Sequence, residues 1–386
     1  MFPVSEIPKT MRAVVYRGVN DLRLETVPVP RIGANELLVK VAVCGVCPTD
    51  IKKIQYGTVP PPRIFGHETA GTIVKTGARI KHFRIGDRVA LHHHIPCLKC
   101  QFCRHRAFAQ CETYKRTGIT AGFEPAGGGY AEYVRVMDFV LPGVVKIPAR
   151  NTFEEGAMLE PVNTVLKAVH RLNLLHGDKV LVAGQGPIGL MFTKILQLRG
   201  INVLATDLLE SRLKLAKKFG AKWTLNLSRR RGDESLTKKS EINQSLVTST
   251  PTIKNLNAAI IAVPSDAAVK QALQFLRGGG QVLLFAHTKR TSLTRPADTL
   301  SHPMGEGRGE GFNLDLASIC LDEKDLIGSY SADFTIQGEV ARLVFSRRLD
   351  VRKLITHRFP LAETADAISL AARPTEDSLK IIVNQV

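Results

Sequence analysis

The chain has 386 residues, 44% of them hydrophobic and 23% charged, with a formal charge of +18. That length is too great for one ordinary core and suits two domains. No apolar run is long enough to span a bilayer, and residues 1–10 lack the charged start and long apolar stretch of a secretory signal, so a cytoplasmic protein without a membrane partner is expected. The basic residues are scattered, which reads as a solvated surface and not as a specific nucleic-acid footprint.

Residues 1–10 read as a short extension. Short strands are expected over 14–16, 37–43, 71–75 and 88–91, divided by turn residues. Cys47, His67, Glu68 and Glu160 are spread through this first segment. Thiolate, imidazole and carboxylate all suit zinc, and three such ligands leave an open position where the metal acts as a Lewis acid toward an alcohol oxygen. Spacing alone does not assemble these residues. Taken singly, His67 is more readily a satisfied polar residue, and Cys44 a small core residue.

The most specific pattern is Cys97-x-x-Cys100-x-x-Cys103 followed by Cys111. Without a signal peptide, cysteines packed this closely point to metal and not to disulfides. Four thiolates close a tetrahedral zinc site that leaves no position for water, so its role is folding. A nucleic-acid-binding zinc ribbon is the alternative, but it usually has two paired C-x-x-C hooks, whereas here three cysteines share one.

Near residue 177 strands begin to alternate with helices. Residues 179–183 form a continuous apolar run, as a buried parallel strand requires. Ile188, Phe192, Ile195 and Leu196 then fall on one helical face. A second strand is expected over 202–206 and a helix over 210–219. Further strands are expected over 258–263, 281–285 and 326–330, with a helix over 267–276. This alternation predicts an α/β fold with a doubly wound parallel sheet. The 228–254 stretch, which contains Arg229-Arg230-Arg231, reads as helix plus loop, and 288–312 as a long loop. The tail from 334 returns to the first domain. The expected division is therefore 11–165 with 331–386 as one domain and 166–330 as a nucleotide-binding domain.

Gly184-Gln185-Gly186-Pro187-Ile188-Gly189 follows the strand and opens the helix, the context that gives G-x-G-x-x-G its meaning. The first glycine permits the tight turn, the second the approach of a pyrophosphate, and the third close packing of helix on strand. The helix N-terminus offers N–H groups to phosphate oxygens. Asp207 ends the next strand, where a carboxylate accepts from an adenosine ribose and repels a 2′-phosphate, favouring NAD. It could equally be an N-cap of the following helix. Arg212 could reach a phosphate.

These motifs, together with Thr49-Asp50, Gly66-His67-Glu68-x-x-Gly71, Gly86-Asp-Arg-Val89, Gly129-Tyr-Ala-Glu-Tyr133, Leu159-Glu160-Pro161 and Thr356-His-Arg-Phe-Pro-Leu361, make the chain resemble the zinc-containing medium-chain dehydrogenases, in the branch near sorbitol and threonine dehydrogenases. The resemblance runs over nearly the whole length. It implies a GroES-like, mainly-β catalytic domain built from both chain ends with a Rossmann domain inserted. It implies two zinc ions per chain, the catalytic one held by Cys47, His67 and Glu160, with Glu68 a near or exchanging ligand. It implies hydride transfer between a secondary alcohol or polyol and NAD, with Thr49 starting a proton relay, in a homo-dimer or homo-tetramer. The competing reading is a zinc-stabilised basic binding protein of the same fold that has lost catalysis. Three positions depart from the family. Pro48 replaces the usual glycine, Lys52 stands where many relatives carry the relay histidine, and Ser331 stands where sorbitol dehydrogenases carry an arginine near the substrate.

Overall fold

A computed structural model describes residues 6–92, 95–117, 127–228, 254–286 and 316–385. The 229–231 arginine run and the 288–312 stretch lie outside the described residues. The chain divides into two compact units, Met1–Lys167 with Tyr330–Val386, and Ala168–Ser329.

The first unit opens with strands β1 (Thr10–Gly18), β2 (Asp21–Pro28) and β3 (Leu37–Gly45), followed by helix α1 (Pro48–Tyr56). Next come β4 (Arg63–Ile64), β5 (Glu68–Thr76) and β6 (Arg88–Leu91), then the short helices α2 (Gln101–Arg104) and α3 (Glu112–Thr117). Strands β7 (Tyr133–Val136) and β8 (Val145–Lys146) precede α4 (Phe153–Ala157) and α5 (Leu159–Val169). The predicted strands of this segment are all present; three run longer than expected, and β6 has the expected bounds.

The second unit alternates as expected: β9 (Lys179–Ala183), α6 (Pro187–Leu198), β10 (Asn202–Asp207), α7 (Glu210–Lys218), β11 (Trp223–Asn226), β12 (Leu256–Ile261), α8 (Asp266–Phe275), β13 (Leu276–Leu284), α9 (Leu316–Leu321) and β14 (Asp325–Gly328). All pairings are parallel, in the order β11-β10-β9-β12-β13-β14. This is the doubly wound arrangement, and its reversal of direction falls between β9 and β12, where such sheets bind ligands. Val180, Val182, Ala259 and Ile260 are almost fully buried, as strands covered on both faces must be. Several boundaries differ from expectation by one or two residues, and that of β13 by more. Strand β13 starts at Leu276, well before 281, with a register shift opposite Leu256–Ala258. Glycines 278–280 carry no side chains, so the irregular stretch leaves no mark on the hydrophobic pattern.

The tail supplies α10 (Gln337–Phe345), β15 (Ile355–Pro360), α11 (Thr364–Ala372) and β16 (Lys380–Asn384). Strand β16 pairs antiparallel with β3, Val383 opposite Cys44, and completes the sheet β15-β16-β3-β5-β6-β8, with β7 also on β3. An ionic knot, buried on the Glu155 side and exposed on the Arg347 side, ties the tail to the first segment. Thr152 caps α4 in a reciprocal capping box with Glu155. The same Glu155 carboxylate accepts from Arg347 Nε at 2.9 Å and from Asn151 Nδ2 at 2.9 Å.

Burial alone would raise the Glu155 pKa, but Arg347 and the donors of Thr152 and Asn151 outweigh it and hold it below the ordinary value. A depressed carboxylate stabilises the fold above its unfolded pKa, about 4.3, and that contribution is lost as pH falls through the folded value. Glu155→Gln is therefore expected to lower the thermal midpoint at pH 7. The gap to wild type should close below about pH 4. A gap that persists unchanged in acid would show that packing, not charge, is what the substitution removes.

Candidate active site

Strand β3 ends in Cys44-Gly45, and the chain turns into α1 through Cys47. Cys47 is the N-cap of α1, and the Thr49 N–H points at its Sγ at 3.5 Å. Pro48 occupies the first turn, where its missing N–H has no helical partner to lose. Across the sheet, His67 and Glu68 lead into β5. Gly66 takes φ +96°, and a Cβ there would overlap Cys44 Sγ. Gly45 is equally constrained, because a Cβ would run into Glu68 Oε2. The glycines thus let two strand ends approach closely enough for their side chains to converge.

Ligand atoms of Cys47, His67 and Glu68 lie within 4.8 Å of one another. Glu160, on α5, is also buried and feels the charges of His67 and Glu68, but its oxygens are not in that close group. Three further residues belong to the arrangement, none of them assigned a site role from the sequence. Asp50 is fully buried and sits 3.2 Å from His67 Nδ1, the outer-shell contact that fixes an imidazole and leaves Nε2 for a metal. Tyr130 approaches the other Asp50 oxygen. Lys380, from β16, pairs with Glu68 and donates to the Val46 carbonyl at 2.8 Å.

The electrostatics fit a cation. Burial would lower the His67 pKa, but Asp50 and Cys47 hold it well above its ordinary value. Burial, helped by Glu68, pushes the Glu160 carboxyl up to about 7. The Cys44 thiol, desolvated and pushed up to about 12, stays a neutral core group. The field that favours a protonated imidazole is one that also favours a divalent metal, whose binding requires the imidazole to be neutral. The donor set of thiolate, imidazole and carboxylate fits zinc.

The four-cysteine cluster is equally formed. Sulfur separations of 3.9 Å (Cys97–Cys103) and 3.5 Å (Cys100–Cys103) bracket the ~3.8 Å edge of a tetrahedron with Zn–S bonds of ~2.3 Å. Backbone N–H groups of Lys99 and Cys100 bring the Cys97 thiol down to about 6, while burial and its sulfur neighbours push Cys103 up to about 12. Four sulfurs this close cannot all ionise without a cation among them.

In the nucleotide-binding unit, Gly184 has φ +89°, and a Cβ on Gly189 would overlap the Gly184 carbonyl. Gly186 is the N-cap of α6 and Pro187 stands at its start, with Ile188 and Gly189 in the first turn. The Asp207 carboxylate accepts from Gln185 N at 2.6 Å and Leu209 N at 3.0 Å, so it braces the glycine turn, while Leu209 is the N-cap of α7. Arg212 Nη1 lies 3.5 Å from where a Gly186 Cβ would stand, over the same turn.

These features define a zinc-dependent, dinucleotide-binding oxidoreductase. Residues 33–149 match the alcohol dehydrogenase GroES-like domain, and 187–341 match the zinc-binding dehydrogenase domain. The chain is 30% identical to a sorbitol dehydrogenase of Bombyx mori over 378 residues, covering 96% of this chain and 98% of that one. It superposes on an alcohol dehydrogenase from Thermus sp. ATN1 with a TM-score of 0.76 and 25% identity, covering 97% and 99% of the two chains. It shares its fold with a 2R,3R-butanediol dehydrogenase from Bacillus subtilis, at a TM-score of 0.76 and 23% identity over 97% of this chain and 100% of the other. The chain belongs to the zinc-containing medium-chain dehydrogenase family, within the alcohol dehydrogenases, and is an oxidoreductase acting on CH–OH groups with zinc and a nicotinamide cofactor.

Asp50→Asn keeps the size of the His67 partner and removes its charge. Loss of such an outer-shell carboxylate typically weakens metal affinity by about 10- to 100-fold. Competition of the variant with a chelator should show that weakening for one zinc per chain only. Equal retention of both ions would mean that Asp50 does not position His67 for metal.

Proposed function

We propose that the enzyme oxidises a secondary alcohol or polyol with NAD, and that Cys47, His67 and Glu160 hold its catalytic zinc with Glu68 as a near or exchanging ligand. The convergence of Cys47, His67 and Glu68 within 4.8 Å, among buried charges, is the observation that carries this reading. Zinc, when bound there, supplies the Lewis acidity that lowers the pKa of an alcohol hydroxyl.

The chain's own residues do the rest. Asp50 holds His67 through Nδ1. Lys380 pairs with Glu68 and offsets its charge in a buried place. Thr49, two residues beyond Cys47, would accept the proton of the substrate hydroxyl as it hands its own hydroxyl proton on to ordered water. Lys52 is partly buried, which lowers its pKa against the opposing influence of Cys47. A lysine starts from about 10.4 and is a poor base near neutrality, so Lys52 serves the cofactor side. Asp207 at the end of β10 favours NAD over NADP, and Arg212 adds positive charge over the phosphate turn. The four cysteines hold a second, structural zinc. The protein works as a homo-dimer or homo-tetramer in the cytoplasm. Closed symmetric assemblies are the commonest oligomers, and reduced thiolates suit a reducing compartment. No described helix is long and apolar enough to cross a membrane.

NADH formation with a panel of secondary alcohols tests the reading. Wild type should turn over, and His67→Ala should not, while binding NAD nearly as tightly. Lys52→Ala should raise the KM for NAD with little change in kcat. Full turnover in His67→Ala would sink the metal assignment. A kcat lost in Lys52→Ala at neutral pH and regained at high pH would put the lysine in the proton route.

A further inference from the structure

The glycine turn of the nucleotide-binding unit hides two polar side chains that its motif does not call for. Nothing in G-x-G-x-x-G specifies the residue between the first two glycines. Here it is Gln185, and it is fully buried, as is Thr193 in the second turn of α6. A buried amide or hydroxyl is unfavourable unless it is hydrogen-bonded. These two are. The Thr193 hydroxyl donates to Gln185 Oε1 at 2.9 Å, and Gln185 Nε2 donates to the Val182 carbonyl of β9 at 2.9 Å.

The backbone at the same place is tied as well. Gly184 N donates to the Thr206 carbonyl at 2.8 Å, and Gln185 N to the Asp207 carboxylate at 2.6 Å. A Cβ on Gly189 would stand 3.7 Å from Gln185 Nε2, so the first turn of α6 lies against the amide. Residue 185 is thereby fixed from three elements: β9 and α6 through its side chain, and β10 through its N–H. That matters because glycines flank it on both sides, and glycine is the residue with most backbone freedom to lose. The N–H groups at the start of α6 are offered to a pyrophosphate only if the turn before them holds its shape. Pro187 has no N–H, so the offer falls to its neighbours and depends on that turn all the more.

We propose that Gln185 and Thr193 are positioning residues for the cofactor: the hydrogen-bonded chain Thr193–Gln185–Val182 sets the glycine turn in its phosphate-binding shape before the dinucleotide arrives. Neither residue acts by touching the cofactor. Removing the Thr193 hydroxyl leaves Gln185 Oε1 a buried acceptor without its donor. The empty turn can relieve that by shifting, and the occupied turn cannot. Apparent affinity then falls by the fraction of molecules still in the competent shape.

The test uses the zinc-loaded full chain and two probes that share a pyrophosphate, NAD and ADP-ribose, the second lacking the nicotinamide. Thr193→Val keeps nearly the size of threonine and removes its hydroxyl. It should weaken both probes by the same factor, roughly 3- to 10-fold, the usual contribution of one neutral hydrogen bond. Thr193→Ser keeps the donor and should bind both probes as wild type does. Gln185→Met fills similar space, breaks both links and should weaken the probes at least as much as Thr193→Val. Thermal midpoints are recorded for every variant, and binding is measured well below the lowest of them. A lower midpoint with unchanged affinity for both probes makes the pair a packing feature and overturns the inference. So does a loss confined to NAD, or one that Thr193→Ser shows equally. A wild type that binds neither probe removes the dinucleotide assignment and this inference with it.

Discussion

Five ionisable side chains are buried at one place: Asp50, His67, Glu68, Glu160 and Lys380 expose 5% of their surface or less. An isolated charge taken out of water is strongly unfavourable, and it persists only if it is paired, hydrogen-bonded or bound to metal. Three carboxylates against one lysine and one imidazole, with the Cys47 thiol beside them, make an arrangement short of positive charge. A divalent cation completes it. Removing one member of such a set leaves another unpaired and typically costs about 3–5 kcal/mol. The site and the stability of its surroundings are therefore not separable.

Much of the first unit can be understood as what holds that cluster. Strand β3 delivers Cys44-Gly45 and leads to Cys47; β5 begins at Glu68; β16 brings Lys380 onto the other side of β3. Helix α5 brings Glu160 and straps the returning chain. The sheet register decides which residues meet, with Gly45 opposite both Glu68 and Ile382. A slip of one position would turn these side chains to the other face. The Glu155–Arg347 knot ties the same two stretches of chain at a second point, away from the metal ligands.

What could be read from the sequence was what is local. The β9 strand, the glycine turn and helix α6 are contiguous, and their order announces a doubly wound sheet. The Cys97–Cys111 cluster spans a few turns of chain, so its spacing already implies closure. The proposed zinc ligands were recognisable only through family resemblance, because β-sheet pairing and not spacing brings Cys47 to His67. Asp50 was visible within its motif, but its role was not, since the contact with His67 crosses from α1 to the start of β5. Lys380 could have been noticed as a lysine heading an apolar run, Lys380-Ile-Ile-Val, yet nothing in that run names Glu68 as its partner.

The central claim is that turnover belongs to the zinc at Cys47 and not to the zinc in the four-cysteine lobe. The most direct measurement is alcohol-dependent NADH formation across a graded removal and restoration of zinc, with metal per chain determined in each sample. Turnover should fall to zero as content drops from two ions to one, while thermal stability is largely kept, and should return in proportion to the second ion. Full turnover in protein that retains only the four-cysteine zinc would contradict the account.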